Sequence, residues 1–414
     1  VLILFVFSGV ANAMVLLTWA PITDKAQTYW DNINITAVNL LSVIFQICYV
    51  PGTLLALRFS ERFSLRGLLL RGGILTSVGC IFRVIGASVV DSSASGSYAL
   101  VLFGTIFVGL SQPFYLNMPA KIASTWFGVK ERDIATTLCS LANPLGSAIG
   151  SLIPAMFVSS DSDHNIEIGI RNLLLVQMIV ALVALATSFA FLKSQPDTPP
   201  SASSAQMREM KSARGINTIQ HDMIQLFQNK EYTKLLFSFS IVLGNLNAIA
   251  ALLNQVPGNY SNGDVGLTGA VLIMTGFLGA FLTGFILDYS KAYSTVLKVA
   301  YVLTFLSWTF FLANCRENNF ALFIVSAALL GGSTLPTIPS TIVSSVECSY
   351  PIPEDASVGL MYMCANVTAI AMTFLGQVLL GTDSSAPAPF FPYGIFVLTL
   401  MLTAVLPIIL FNGR

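Results

Sequence analysis

The sequence predicts an all-α membrane protein with twelve spanning helices in two sets of six. Three observations carry this. Hydrophobic residues make up 55% of the 414 and charged residues only 10%, against about 25% charged in a soluble domain. Apolar runs of the length needed to cross a hydrocarbon core, about 20 residues, recur twelve times along the chain. One long polar stretch, 194–230, divides those runs six and six.

Taken in order, the runs cover 1–22, 37–57, 66–90, 97–126, 132–158, 169–193, 231–255, 265–287, 292–314, 319–346, 355–380 and 390–412. The first opens on Val1, already apolar, so the natural N-terminus is expected upstream. Pro and Asn interrupt the fourth, fifth and tenth. Such breaks are tolerated where neighbouring helices or water satisfy the freed backbone groups. The stretch 194–230 starts rich in Pro and Ser, as a flexible linker does. Its end, Thr218 to Lys230, predicts a short amphipathic helix at the membrane surface. The expected organisation is a six-helix bundle over 1–193, a cytoplasmic linker over 194–230 and a second six-helix bundle over 231–414.

Charge placement gives the orientation. With both termini inside, the inner loops and C-terminus hold sixteen of the twenty Lys and Arg residues. The outer loops keep Lys25, Arg171 and Arg316, and Arg83 falls inside the third run. This bias is the positive-inside pattern. The sequons at Asn34 and Asn259 then lie outside, in reach of glycosylation, whereas Asn366-Val367-Thr368 sits in a span. Net charge is zero, which gives no sign of a nucleic-acid partner. The six cysteines form no CxxC pair and read as buried single thiols. No cofactor is expected.

Two loops carry a repeated pattern. Arg58 to Arg66, with Glu61 and Arg62 at its centre, follows the second run. Gly284 to Lys291, with Asp288 followed by Lys291, follows the eighth. Each places an acid and then a base at the inner end of an even-numbered span, at matching positions of the two halves. They resemble the loop motif of major facilitators, G-x-x-x-D-[RK]-x-G-R-[RK], although the first copy has Glu61 for Asp and Ser64 for Gly. The resemblance implies a gating role for Glu61, Arg62, Arg66, Asp288 and Lys291, in which an ion pair holds one conformation and later releases it. The 6+6 plan with a long central loop fits the same fold.

A finer resemblance runs through Ser111-Gln112-Pro113-Phe114-Tyr115-Leu116-Asn117-Met118-Pro119-Ala120-Lys121 and on to Gly128. It continues through Ala142-Asn143-Pro144-Leu145-Gly146, Leu252-Leu253-Asn254-Gln255, Glu347-Cys348-Ser349-Tyr350-Pro351 and Gly359-Leu360. These stretches resemble the feline leukaemia virus subgroup C receptor family, solute carrier family 49. Asn12-Ala13-Met14 followed by Ala20-Pro21 is most similar to its less studied third branch. The resemblance implies a facilitator for choline- or ethanolamine-like solutes or other small polar metabolites, with a B6 vitamer or haem as alternatives.

Choline carriers of that family are implied to hold the cation with an aromatic on the first and seventh spans and Gln on the fourth and eleventh. Ring faces attract a quaternary ammonium by cation–π contact. Here those positions fall on Leu16, Asn247, Gln112 and Asn366. Both cage walls are therefore lost, and Trp19, Tyr115 or Tyr362 would have to supply a ring from elsewhere.

The polar side chains at membrane depth are mainly amides: Asn12, Gln46, Gln112, Asn143, Asn245, Asn247, Asn366 and Gln377. They read either as a neutral solute pocket or as interhelical glue. Asp and Glu are missing from the middle of every run. That favours a facilitator driven by its solute's own gradient, because proton-coupled carriers commonly use an intramembrane acid. Arg83 is expected to snorkel outward or make a structural bond, with pairing to an anionic solute as the alternative.

An enzyme would need a nucleophile with a base, or metal ligands, at membrane depth. Both histidines, His164 and His221, lie in polar stretches, and no HExxH or Ser–His set is present. The rival from another class is a receptor or scaffold without transport. The expected protein is a monomer in the bilayer, at the plasma membrane rather than an internal one.

Overall fold

The computed structural model describes every residue except 32, 91–92, 129, 159–162, 201–218, 253–261, 316–318, 381–389 and 413–414. The Pro/Ser-rich core of the linker, the sequon at Asn259, Asn254, Gln255 and Arg316 therefore lie outside the described residues. Every described element is helical. Among the described residues, ten helices are long and apolar enough to cross a membrane, and Leu2–Ala13 is a shorter apolar helix.

Two compact units form. The first takes Val1–Met118 and Leu141–Pro199. It contains α1 (Leu2–Ala13), α2 (Thr23–Tyr29), α3 (Ile35–Arg62), α4 (Leu65–Ala87), α5 (Ala94–Ser111), α6 (Pro113–Leu116), α9 (Ala142–Phe157) and α10 (Asp163–Phe191). The second takes Pro119–Ser140 and Pro200–Arg414. It contains α7 (Pro119–Trp126), α8 (Arg132–Ser140), α11 (Ile219–Gln228), α12 (Lys230–Leu252), α13 (Asn262–Ser290), α14 (Tyr293–Asn314), α15 (Phe320–Thr334), α16 (Thr337–Ser349), α17 (Glu354–Leu380) and α18 (Phe390–Ile409).

Helix ends follow from local chemistry. The Asn34 side chain accepts a hydrogen bond from the Thr36 N–H, and the Ser64 hydroxyl accepts one from the Gly67 N–H, satisfying donors that a helix start leaves orphaned. The interrupted runs break where the sequence predicts. The fourth splits into α5, α6 and α7 at Gln112 before Pro113 and at Asn117–Met118 before Pro119. The fifth splits into α8 and α9 at Leu141, ahead of Pro144. The tenth splits into α15 and α16 at Leu335–Pro336. Proline lacks the N–H that would continue the ladder and disfavours helix in the residue before it. α11 buries Leu226 and Asp222 and leaves Ile224 and Phe227 exposed.

The first run is not the continuous span over 1–22 that hydropathy suggests. α1 ends at Ala13, turns follow, and a short 3-10 helix covers Ala20–Ile22. Pro21 forbids a regular helix through the outer part of the run. The break is fixed by α9, where Gly150 packs so closely on the Met14 carbonyl that any Cβ would collide with it.

In the first unit, α4 and α5 meet through Gly79 and Gly104. A Cβ on either would lie 2.5 Å from the other's carbonyl oxygen. Small residues that let backbones approach supply the packing that holds membrane helices together where lipid gives no hydrophobic drive. An aromatic cluster closes one end of the unit: Trp19, Tyr29 and Trp30 pack with Val38, Leu41, Val101 and Leu173. The Trp30 Nε1–H donates to Ser97 Oγ at 3.0 Å and the Tyr29 hydroxyl to the Ala87 carbonyl at 3.1 Å. Trp30 lies 4.9 Å from the Trp19 ring and 5.4 Å from Tyr98, each contact worth about 0.5–1.5 kcal/mol beyond burial. Large apolar side chains such as Phe189, Phe191, Leu278 and Leu282 are exposed, the surface expected of helices whose solvent is lipid.

Candidate functional site

The membrane-depth amides of the first unit have different fates. Asn12 is buried at the end of α1. Its Nδ2 donates to Ser111 Oγ at 2.7 Å, Thr76 Oγ1 at 3.1 Å and the Val108 carbonyl at 3.2 Å. The amide thereby ties α1 to α4 and α5, the arrangement of interhelical glue. Gln112 is buried at the break between α5 and α6. Among the described residues its side chain has no hydrogen-bond partner, so the amide remains available. Leu16 is half-buried against Met14, Val15 and Phe45. The Tyr115 ring lies 6.3 Å from Phe5 and lines a small internal space with Ser8, Thr76 and Ser188. Trp19 belongs to the aromatic cluster already described.

Arg83 does not snorkel. It is 1% exposed and donates from Nη1 to Gln177 Oε1 at 2.9 Å, the structural bond the sequence allowed for. Gln177 in turn donates to Thr18 Oγ1 at 2.9 Å. Sequence reasoning missed Gln177; its signal was that of the other amides, a carboxamide deep in an apolar run.

In the second unit, Asn247 is half-buried on α12 with no side-chain hydrogen bond among the described residues. Asn245, two residues earlier and nearly opposite around the helix, donates to the Ile241 carbonyl of its own helix. Tyr362 is buried with its ring edge-on to Phe239, the centroids 5.3 Å apart. Asn366 donates from Nδ2 to the Tyr362 carbonyl at 2.8 Å, which orients its amide on the α17 face that carries Tyr362.

The second copy of the loop motif is a built polar cluster. Lys291 Nζ reaches Asp133 Oδ2 at 3.0 Å and Asp288 Oδ1 at 3.1 Å. Asp288 also accepts from the Ile134 N–H at 3.0 Å, near the start of α8, and Tyr293 donates to Asp133 Oδ2 at 2.8 Å. A carboxylate at a helix start accepts orphan donors and meets the positive end of the dipole. Lys291 follows α13 with φ 51°, a left-handed conformation unusual for a residue with a side chain. Its two carboxylate partners hold it there. Burial alone would pull its pKa down, but the bonds to Asp133 and Asp288 outweigh this and hold it above the ordinary lysine value. A cleft of about 650 Å³ opens beside the cluster, lined by Lys291, Tyr293, Glu347 and Phe411 among others.

The first copy is arranged differently. Arg66 donates to the Phe189 carbonyl at 2.8 Å and lies over the Phe189 ring. Arg71, one turn on, sits 3.3 Å from the centroid of Phe63. Glu61 and Arg62 lie in the last turn of α3. Arg66 of this copy, and Arg71 beyond it, therefore turn to ring faces and a backbone carbonyl.

A second ionic contact was not foreseen. Lys121 Nζ lies 2.9 Å from Asp355 Oδ2, with side chains 14% and 2% exposed, joining α7 to the start of α17. Lys121 belongs to the stretch from Ser111 to Gly128, but its partner lies 234 residues away. Among the described residues, no group of three or more His, Cys, Asp or Glu is placed to hold a metal ion.

Long apolar helices and broken spans define a multi-pass integral membrane protein. Residues 1–288 match the Major Facilitator Superfamily model. The chain is 31% identical over 386 residues to Solute carrier family 49 member A3 of Xenopus tropicalis, covering 91% of this chain and 77% of that protein. It is 28% identical over 396 residues to the choline/ethanolamine transporter FLVCR1 of Felis catus, covering 94% and 68%. Among solved structures, a bacterial homologue of the iron transporter ferroportin aligns with a TM-score of 0.72 at 10% identity, over 100% of this chain and 99% of that one. The E. coli fucose:proton symporter FucP aligns with a TM-score of 0.68 at 11% identity, over 100% and 98%. The chain belongs to the major facilitator superfamily and, within it, to solute carrier family 49. It is a membrane transporter of small solutes.

Proposed function

We propose that the protein is a facilitator for a small polar organic solute, working by alternating access, with choline- and ethanolamine-like amines as the first candidates. The observation that carries this reading is that the membrane-depth polar groups other than Arg83 are uncharged. Gln112 and Asn247 keep carboxamides uncommitted among the described residues, and no Asp or Glu stands in the middle of a run. A pathway lined by amides recognises a solute through hydrogen bonds and offers no acid to relay protons. The names of the relatives in the choline/ethanolamine group support the amine class.

Gln112, Asn247 and Asn366 are the proposed solute contacts, with Tyr362 beside Asn366 the ring best placed to meet a cation. The expected setting is the plasma membrane, the expected state a monomer, and Asn34 the expected glycan site. The test is uptake of labelled choline, ethanolamine and a panel of neutral solutes into cells expressing the protein, with Gln112→Ala and Asn366→Ala as controls. Saturable amine uptake that both variants reduce by about tenfold or more, the loss of one or two hydrogen bonds, supports the reading. Amine flux equal to that of empty cells, with a neutral solute carried instead, removes the amine class and keeps the facilitator.

A further inference from the structure

Arg83 is a guanidinium sealed inside the first unit; among the described residues Gln177 Oε1 is its one oxygen acceptor, and the Cys80 thiol is its other polar neighbour. Nη1 donates to Gln177 Oε1 at 2.9 Å, whereas Nε and Nη2 have no partner. Gln177 has nothing further to offer. Its Nε2 is committed to Thr18 Oγ1 at 2.9 Å and, more weakly, to the Met14 carbonyl at 3.5 Å, which fixes its oxygen towards Arg83. Trp19 lies alongside, its ring centroid 5.8 Å from the guanidinium carbon, and its buried Nε1–H is also without a partner. Among the described residues Arg83 makes no ion pair.

A guanidinium cannot escape burial by losing its proton. An isolated buried charge is among the most unfavourable arrangements a protein can hold, so buried charges are paired. Among the described residues three donor nitrogens, Arg83 Nε and Nη2 and Trp19 Nε1, stand unsatisfied around one positive charge, with no carboxylate paired to it. Water would satisfy the donors but leave the charge unbalanced. A small monovalent anion does both, because a halide accepts N–H donors from several directions at once.

We propose that Arg83 and Trp19 form a buried site for a monovalent inorganic anion, with chloride the physiological occupant. The site is held within one unit by α4, α10 and the turn that follows α1, and does not depend on which solute is carried. Its role is to neutralise Arg83 and so to make the packing of α4 against α10 and that turn conditional on the anion.

The experiment is thermal unfolding of the full chain, purified in detergent without organic solute, as sodium gluconate is replaced stepwise by sodium chloride at constant ionic strength. Gluconate serves as the bulky organic anion that keeps ionic strength constant without offering a halide. The expected result is a saturable rise in Tm with chloride, reproduced by bromide and absent in Arg83→Met. Trp19→Phe keeps a six-membered aromatic ring but loses the N–H together with the pyrrole half of the indole; the lost packing lowers the Tm at every chloride concentration, whereas the lost N–H should shift the chloride midpoint upward by about tenfold or more, the effect of one lost bond to an ion. Should Arg83→Met fail to fold, Trp19→Phe decides the question alone. Identical melting of the natural chain in chloride and gluconate overturns the proposal. So does a chloride response that either variant leaves unchanged.

Discussion

Replacing Lys121 by Met should destabilise the protein far more than replacing Lys121 and Asp355 together. The pair closes at 2.9 Å, with Asp355 2% and Lys121 14% exposed. At an effective dielectric near 20 the direct attraction is about 6 kcal/mol, most of it offset by the cost of drying both charges. Removing the lysine forfeits the attraction and leaves the carboxylate buried in the first turn of α17. Losing one partner of a buried pair costs about 3–5 kcal/mol, and the partial exposure of Lys121 places this case near the lower end. The helix dipole at the start of α17 returns a fraction of that to Asp355. Lys121→Met combined with Asp355→Asn removes the charge of the pair's carboxylate as well, and the net change should fall clearly below that of Lys121→Met alone. The assay is a double-mutant cycle on thermal or denaturant unfolding of purified protein, with a coupling of about 3 kcal/mol expected. Additive single effects, or a Lys121→Met variant as stable as the natural chain, would refute the reasoning.

Asn12→Ala should lose about 1–3 kcal/mol of stability, because Thr76, Ser111 and the Val108 carbonyl lose a shared donor inside the bundle; unchanged unfolding would show that these bonds contribute nothing net. Asp133→Asn weakens the hold on both Lys291 and Tyr293 and should cost about 1 kcal/mol, since Lys291 is partly exposed; a stability measurement within error of the natural chain counts against the cluster. The Lys291 pKa is raised on folding, so its contribution is fully present below the ordinary lysine value of about 10.4 and is lost only as pH climbs through the folded value. The difference in Tm between the natural chain and Lys291→Met should therefore not shrink between about pH 6 and 9, and it should grow as Glu347, which burial lifts to about 7 and Lys291 favours in its ionised form, loses its proton; a difference that shrinks by pH 8 contradicts the assignment.

Spans were legible because length and hydropathy are properties of local sequence, and the breaks at Gln112, Leu141 and Leu335 were legible because a proline follows each within a few residues. The break after Ala13 was not, because Pro21 stands well beyond it and the close approach of Gly150 to Met14 is a tertiary fact. At the site, residue types were readable and destinations were not. Asn12 and Gln112 look alike in sequence, yet one has its donors committed within the bundle and the other lies at a helix break with its amide open. Both motif copies announce an acid and a base. Only packing decides that Lys291 meets two carboxylates while Arg66 meets the Phe189 carbonyl. Lys121 and Asp355 carry no mutual signal at all across 234 positions.

The backbone contact at Gly79 and Gly104 has a mechanical consequence. Two rods touching through their axes, with nothing between them to compress or rotate, cannot slide past one another without first separating. The third and fourth crossings should therefore travel as a single beam during a transport cycle, and the compliance that lets the carrier change shape must be sought in the proline breaks that lie beyond that seam.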